Sequence, residues 1–506
     1  MEKCTGGKIR ISKGLICKCA HHFSVATLGL LLIIFSSLNA QAFGVPDGFA
    51  DPLLTKPPTL VFGPTLPNGD DIDCLSQIDL KQMLGLGEVI DLALCASPQI
   101  KQAWAAIKIQ SGALGEAKSA YLPTLNATYS QQQTQVNYPQ STSSNTITNG
   151  HTSYLNGTWR LFDFGGRAAN RLSSNLLLDA ALASHDASIQ RVMQAVIQAY
   201  FDVLSREASL KARIDAVKFA HASWDTTTRR EVKGASSRSD SLQAQTALAQ
   251  AGLASSRAQG EYLKAYASLL YVIGLPANTR LLLEPPKDYP EKIQSKDLAQ
   301  WLEEAQRLHP AIKAAKAQWD SAKKKVTVAR SAGMPTLDFV GNFYQNGYPN
   351  QAIQTTKSNT STIGVTITIP IFEGFSTTYK IRGAQAQAEY AQAQMEDTEL
   401  QILTEIVKSH ADTVASLANL DFSEKLVRAA TESLRSASNR YERGVADVLE
   451  LLTSQNALAQ AQEERIRCIS EWQSARLRLM ANAGGLGRLR ERGVKPSGVN
   501  VGLISQ

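Results

Sequence analysis

From Arg167 to Lys233 the chain runs for 67 residues without a proline or a glycine, and from Thr377 to Arg443 the same length is broken only by Gly383. A single helix of that length would reach roughly 100 Å at 1.5 Å per residue, far beyond what one globular core can cover. Ile189, Val196, Val203, Leu210, Val217 and Trp224 recur at strict seven-residue intervals, with Met193, Tyr200 and Ile214 at the alternate positions. That 3.5-residue period is the seam of a coiled coil. In the second stretch Leu403, Ile406, Leu417, Leu420, Val427 and Leu434 are the expected seam residues. The abundance of Ala, Ser, Gln, Leu and Thr, with only 19% charged residues, suits long helices and polar-lined strands.

The two stretches belong to a larger duplication with an offset of 210 to 212 residues. His309-Pro310-Ala311-Ile312-Lys313 answers Ser97-Pro98-Gln99-Ile100-Lys101, and Met334-Pro335-Thr336-Leu337 answers Leu122-Pro123-Thr124-Leu125. Ile371-Phe372-Glu373-Gly374 answers Leu161-Phe162-Asp163-Phe164-Gly165, Gly444 answers Gly234, and Gly484 answers Gly274. Each half therefore reads as a helix of about 35 residues ending before Pro123 or Pro335, two strand-like runs, a very long helix, a glycine-marked turn and a returning helix. The expected boundaries are 79–284 and 297–485 for the repeats, with a proline-rich linker at 285–296.

The strand-like runs alternate. Leu125, Ala127 and Tyr129 are interleaved with Asn126, Thr128 and Ser130, and Leu155, Gly157, Trp159 and Leu161 with Asn156, Thr158 and Arg160. In the second half Leu337, Phe339 and Phe343 alternate with Asp338 and Asn342, and Ile363 to Ile371 with Gly364, Thr366 and Thr368. Each run approaches the 9–11 residues of a transmembrane strand, and Tyr121, Trp159, Phe162, Phe343, Tyr344 and Phe372 stand at the ends as an interfacial girdle. A half-buried soluble sheet has a similar pattern. The connectors Gln131 to Ser153 and Gln345 to Ser361, rich in Gln, Asn, Ser and Thr, read as exposed loops. Four strands are too few to close a membrane barrel, because an open edge leaves backbone groups unpaired in lipid. Closure must be shared between chains, and these residues alone leave open whether two copies or three provide it.

Five Lys or Arg precede the apolar run Phe23 to Phe35, which ends in Asn39-Ala40-Gln41-Ala42. This is the pattern of a secretory signal peptide over 1–42 with cleavage after Ala42; residues 43–78 form an extension and 486–506 a tail. An uncleaved anchor is the alternative reading of the same run. No Cys follows it for lipid attachment. Removing the signal takes the formal charge from +7 to +3, which gives a nucleic-acid partner no support. Among the remaining cysteines, Cys74 and Cys95 fit a structural disulfide better than a metal pair, and Cys468 reads as a small buried apolar group. There is no P-loop, no H-E-x-x-H and no G-x-S-x-G, so an enzyme, a cofactor and a metal site are all unexpected.

The duplication, the helix running into Tyr121-Leu122-Pro123-Thr124-Leu125, the strand ending in Leu161-Phe162-Asp163-Phe164-Gly165-Gly166, and the tip Arg440-Tyr441-Glu442-Arg443-Gly444 before Val448-Leu449 resemble the TolC-like outer membrane factors over residues 79 to 485. The resemblance implies a mostly α fold with membrane β: four strands per chain, a homotrimer, a shared 12-stranded barrel in outer-membrane lipid, and a coiled-coil tunnel in the periplasm. It implies an exit duct for type I protein secretion or small-molecule efflux, working with a periplasmic adaptor (membrane fusion) protein and an inner-membrane transporter. The absent lipid-attachment Cys tips the choice toward secretion. A non-conducting structural protein spanning the periplasm is the alternative.

By the same resemblance, the tip residues Gly234, Ala235, Gly444 and Val445 would meet the adaptor, and Asp240, Tyr441 and Glu450 would form the periplasmic gate. Ser237-x-x-Asp240 and Asp447-x-x-Glu450 are equally capping-box patterns for the returning helices. The family's gating arginine is replaced by Ala446, which leaves the ionic lock weaker or moved to a residue such as Arg238.

Overall fold

The computed structural model describes residues 53, 82–136, 146–285, 297–345 and 358–484. The expected signal peptide with Ala42, the extension with Cys74 apart from Leu53, the linker from 286 to 296 and the tail lie outside the described residues. All the elements belong to the unit Thr55–Gln506. In chain order they are β1 (Met83–Leu84), α1 (Leu86–Ala96), α2 (Pro98–Ser119), β2 (Thr124–Val136), β3 (Thr146–Phe162), α3 (Gly166–Val232), α4 (Arg238–Ile273), β4 (Leu282–Leu283), α5 (Leu298–Leu308), α6 (Pro310–Ser331), β5 (Thr336–Gln345), β6 (Asn359–Thr368), α7 (Ser376–Glu442) and α8 (Val448–Asn482). The succession helix, helix, strand, strand, long helix, return helix occurs twice. Helices α2 and α6 both have 22 residues, and α3 and α7 both have 67. None of these helices is long and apolar enough to cross a membrane.

The helix of about 35 residues expected at the head of each repeat is instead two helices. They break at Ser97-Pro98 and at His309-Pro310, where Ser97 has ψ 124° and His309 ψ 124°. The proline ring pushes the residue before it out of the helical region, and the proline itself sits in the first turn of the next helix, where no amide is missed. At the second break the His309 Nδ1 accepts the Ala311 N–H at 3.2 Å and caps α6.

Tertiary stability is concentrated near the middle of the long helices. Val89 and Leu94 of α1, Ile189, Val196, Ile197 and Tyr200 of α3, and Leu269, Leu270 and Ile273 of α4 form one core with the parallel pair β1–β4. The Tyr200 hydroxyl donates to the Glu284 carbonyl. The predicted seam of α3 is therefore present where Ile189, Val196 and Val203 are buried, and it loosens toward Ile214, which is 41% exposed.

In α7 the expected seam is corrected. Only Ile406 of the predicted residues is buried, and Leu417 is 54% exposed. The buried positions are Ser409, Ser416, Ser423, Ala430 and Ala437, again at seven-residue intervals, and α8 presents Ser454, Ala461, Cys468, Ala475 and Asn482 at the same interval. Small side chains let the two antiparallel backbones approach closely, so the large apolar residues are turned elsewhere: Leu400, Val407, Val414, Phe422 and Leu426 are all exposed. A search for large hydrophobics at the heptad positions finds the wrong stripe in such a pair.

Strands β2, β3, β5 and β6 form one antiparallel sheet in that order. The first hairpin is longer than the alternation implied: Gln131 to Val136 and Thr146 to Ser153, read as connector, are paired strand, with Gln131 opposite His151 and Val136 opposite Thr146. Strand β5 joins β3 only from Ser153 onward. Polar Gln and Thr side chains give no alternation for a periodicity argument to detect, yet the backbone ladder forms without it.

Two measurements test the packing and the cap. Ser416→Leu or Ala437→Leu should overpack the small-residue seam and cost roughly 1–3 kcal/mol, read as a lower urea midpoint of the detergent-solubilised protein. Burial pushes the His309 pKa down to about 4, so the folded state holds the neutral ring. The associated stability is present above the unfolded value of about 6.5 and is lost as pH falls through about 4. His309→Asn should cap without titrating and remove that part of the acid sensitivity.

Candidate functional site

Two regions carry the features a duct would need, the sheet and the helical tips. In the sheet, odd-numbered residues of all four strands share one face. Trp159 lies opposite Phe339, and Phe339 opposite Val365; Leu155 lies opposite Phe343. Leu125, Tyr129, Trp159, Phe343, Ile363 and Ile367 are all exposed on it. An apolar face of this extent is out of place in water. The other face is polar and internally bonded. Asn156 Nδ2 donates to Asn342 Oδ1 at 2.6 Å, Tyr154 stacks on Tyr344 with centroids 4.7 Å apart, and Arg160 meets Asp338 at 2.9 Å. Strands β2 and β6 are the edges of the sheet.

The sheet is joined to α3 by a left-handed turn at Phe164 and Gly165 and to α7 by one at Gly374 and Phe375. Arg167 fastens the first junction: its guanidinium donates to the carbonyls of Arg160 at 2.6 Å and Leu161 at 3.1 Å, pairs with Asp163 at 3.2 Å, and lies 4.9 Å from the Tyr121 ring centroid.

At the opposite end of the long helices, both turns are closed in the same way. Gly234 and Gly444 have φ of 71° and 75°, a conformation that costs a residue with a Cβ about 1–2 kcal/mol. Their amides bond Glu231 O and Tyr441 O, while Ala235 N and Val445 N reach back to Arg230 O and Arg440 O at 2.8 and 2.9 Å. This is the paired-bond helix terminus that favours glycine. Val232, Val445 and Leu449 are exposed beside the turns, and a groove of about 700 Å³ lined by Phe219, Leu242, Leu434, Leu449 and Leu452 runs up from them between α3, α4, α7 and α8.

The predicted gate residues sit at these tips, but the structure does not join them to one another. Asp240 closes a reciprocal capping box: its amide bonds Ser237 Oγ at 3.2 Å, and its carboxylate accepts from Ser236 Oγ at 2.7 Å and Ser237 N at 3.1 Å. The Ser236 hydroxyl holds its pKa below the usual carboxylate value; burial opposes this as the next effect in size, and the Ser237 amide and hydroxyl add to the lowering. Glu450 is capped differently. Asp447 takes its amide at 2.9 Å, which leaves the Glu450 carboxylate free to pair with Arg440 at 2.8 Å. Tyr441 is buried in a small cluster with Val448 and Leu451, and its hydroxyl has no hydrogen-bond partner among the described residues. Ala446 packs against the same cluster, so the position the resemblance gives to an arginine is apolar here. The cation meeting Glu450 is Arg440 rather than Arg238, which is exposed in the first turn of α4.

Two functional candidates escaped the sequence reading, Arg440 and Arg230. The Arg230 guanidinium lies 4.6 Å from the Tyr441 ring centroid. The signal was present in the duplication, since both arginines stand four residues before their glycine. Cys95 is disulfide-bonded, and the Cys74 expected as its partner lies outside the described residues. Cys468 is buried and free in α8, where burial raises its thiol pKa.

Comparison with known proteins fits this geometry. The sequence profile of the family described as outer membrane efflux protein matches residues 89–275 and 301–485. The protein CyaE of Bordetella pertussis is 33% identical over 417 residues, covering 82% of this chain and 87% of its own length. The alkaline protease secretion protein AprF of Pseudomonas aeruginosa is 22% identical over 417 residues, covering 80% and 85%. Among solved structures, the outer membrane protein VceC of Vibrio cholerae superposes with a TM-score of 0.69 at 22% identity, covering 79% of this chain and 96% of its own.

Proposed function

The chain belongs to the outer membrane efflux protein family, and from that premise we propose that three copies close one 12-stranded barrel and form the exit duct of a type I protein secretion system. Membership makes it an outer-membrane transport channel rather than an enzyme. The observation that carries the finer reading is the sheet: apolar on one face, polar and ion-paired on the other, and open at β2 and β6. Lipid accepts the first face and water the second, but lipid offers nothing to an open edge. Pairing β6 of one copy with β2 of the next satisfies every edge once the ring closes. Three copies leave a lumen where two would be filled by side chains.

The large apolar residues that α7 turns away from α8, Leu400, Val407 and Val414 among them, then serve as contacts between copies. The exposed tips at Gly234, Ala235, Gly444 and Val445, with the groove above them, are the surface for a periplasmic adaptor that connects the duct to an inner-membrane transporter. A polypeptide cargo is supported by the relation to AprF, named for protease secretion. Cys74 is the proposed partner of Cys95, and cleavage after Ala42 the proposed maturation step.

Asp240, Tyr441 and Glu450 form the periplasmic constriction. Their pairing ranks them: Glu450 is offset by Arg440, whereas among the described residues the Asp240 carboxylate is held by the neutral groups of Ser236 and Ser237. Asp240 is therefore the stronger source of negative field at the opening. In planar bilayers, Asp240→Asn should weaken cation preference several-fold and Glu450→Gln less; equal, unchanged currents would remove the gate assignment. Light scattering of the detergent-solubilised chain, corrected for detergent, should give three chains, and a detergent-independent monomer or dimer would refute the barrel. A deletion strain should lose one secreted polypeptide from the medium with drug susceptibility unaltered, and the reverse result would assign the duct to efflux.

A further inference from the structure

The sheet continues into helices strand by strand: β2, β3, β5 and β6 are joined to α2, α3, α6 and α7, and those four helices pack against one another in the same order. On one face of this helical layer α1, α4 and the β1–β4 pair cover Ile189 and Val196. A duct needs a clear lumen, so in the proposed ring that covered face is the outer one. Counted back by sevens from Val196 through Ile189 and Leu182, the same stripe of α3 reaches Asn175 and Ala168.

At that point, beside the start of α3, a pocket of about 540 Å³ opens between α2, α3 and α6. Each helix gives it one cation: Lys118, Arg171 and Lys324. Leu114 and Leu172 supply an apolar floor, and Asn175 and Thr327 add polar groups. No carboxylate of the described residues lines it. Asp163 is turned to Arg167 and Asp179 to Asn175. Neighbouring cations are already committed, Arg167 to Asp163 and Lys325 to Asn170 Oδ1 at 2.9 Å. Arg171 has only the Tyr121 ring, 5.5 Å from its guanidinium, and neither it nor Lys324 makes a hydrogen bond or ion pair among the described residues. The positive end of the α3 dipole points the same way. Three like charges around one pocket repel one another, and an anion placed among them reverses the sign of that energy.

The position of the pocket selects the anion. Phe162, Phe164, Phe372 and Phe375 are exposed at the junctions of sheet and helices, the level at which an aromatic belt meets lipid headgroups. Lys118 stands one residue before the end of α2 and Lys324 seven before the end of α6, so both lie within roughly 10 Å of the strands at 1.5 Å per residue, about the reach of the headgroup region. A zwitterionic head would bring an ammonium into a pocket without a carboxylate to receive it.

We propose that this pocket holds the phosphoglycerol head of an anionic phospholipid from the periplasmic leaflet, with the phosphate among Lys118, Arg171 and Lys324. The glycerol carbons lie on Leu114 and Leu172, and its hydroxyls reach Asn175 and Thr327. The proposal rests on the barrel reading and adds to it a lipid site on each chain that fixes how deep the sheet sits in the bilayer.

The test is native mass spectrometry of the full chain in detergent micelles doped with phosphatidylglycerol or, separately, with phosphatidylcholine of the same chains. The unaltered protein should retain one phosphatidylglycerol per chain and little phosphatidylcholine. Arg171→Gln and Lys324→Gln should each weaken retention about five-fold, and the double variant should weaken it further. Lys325→Gln, which removes a cation outside the pocket, should bind as the unaltered protein does. Equal retention of the two lipids, an unaffected double variant, or displacement of the lipid by inorganic phosphate at the same concentration would overturn the site, the last assigning the pocket to a soluble anion. A chain that fails these lipid tests yet still assembles as a detergent-dependent trimer leaves the barrel standing, whereas a chain that stays soluble without detergent overturns both.

Discussion

An amide or carbonyl at a sheet edge has no water to turn to inside a bilayer, and an unpaired group there costs several kcal/mol. Most of this structure follows from that one demand. The sheet of β2, β3, β5 and β6 has its interior ladders complete and its two outer ones unmade, so under the proposed placement in lipid a single chain would be incomplete. Its apolar and polar faces are already sorted by the alternation along each strand. In the proposed ring, assembly would have only the edges left to supply.

The helical part solves a different problem, that of keeping rods of roughly 100 Å side by side with few large core residues. One compact core near mid-length, built around Ile189, Val196 and Tyr200, sets the register of the first repeat. Farther along, α7 and α8 rely on close backbone approach through serine, alanine and one cysteine. Such a seam buries little apolar area for each contact, and its stability depends on shape more than on hydrophobicity. It also leaves large side chains available on the outer faces of the pair, where an assembly can use them.

Much of this was legible in the sequence. The absence of Pro and Gly placed both long helices within a residue of their observed ends, Gly234 and Gly444 marked the turns, and alternation found the strands between Leu125 and Ile367. What was misread has physical causes. The breaks at Ser97 and His309 follow from the effect of proline on its predecessor, a local signal that the duplication displayed twice. The α7 seam was missed because small residues carry little weight in a hydrophobicity count, and the outer parts of β2 and β3 because a Gln- and Thr-rich ladder has no apolar period. At the tips the sequence identified the acidic positions and could not show where each carboxylate points. That depends on whether the cap is reciprocal, as between Ser237 and Asp240, or one-sided, as between Asp447 and Glu450.

The two hairpins of the sheet are unequal. From Thr146 to Thr152 strand β3 pairs with β2 alone, beyond the last rung that β5 provides, a polar ribbon of roughly 20 Å at the usual rise per residue. In the proposed ring the three ribbons would stand at the end remote from the helices. In each, the β3 ladder is shared with one neighbour only, so a change in its sequence would disturb fewer backbone pairings than one beyond Ser153, where β3 is paired on both sides.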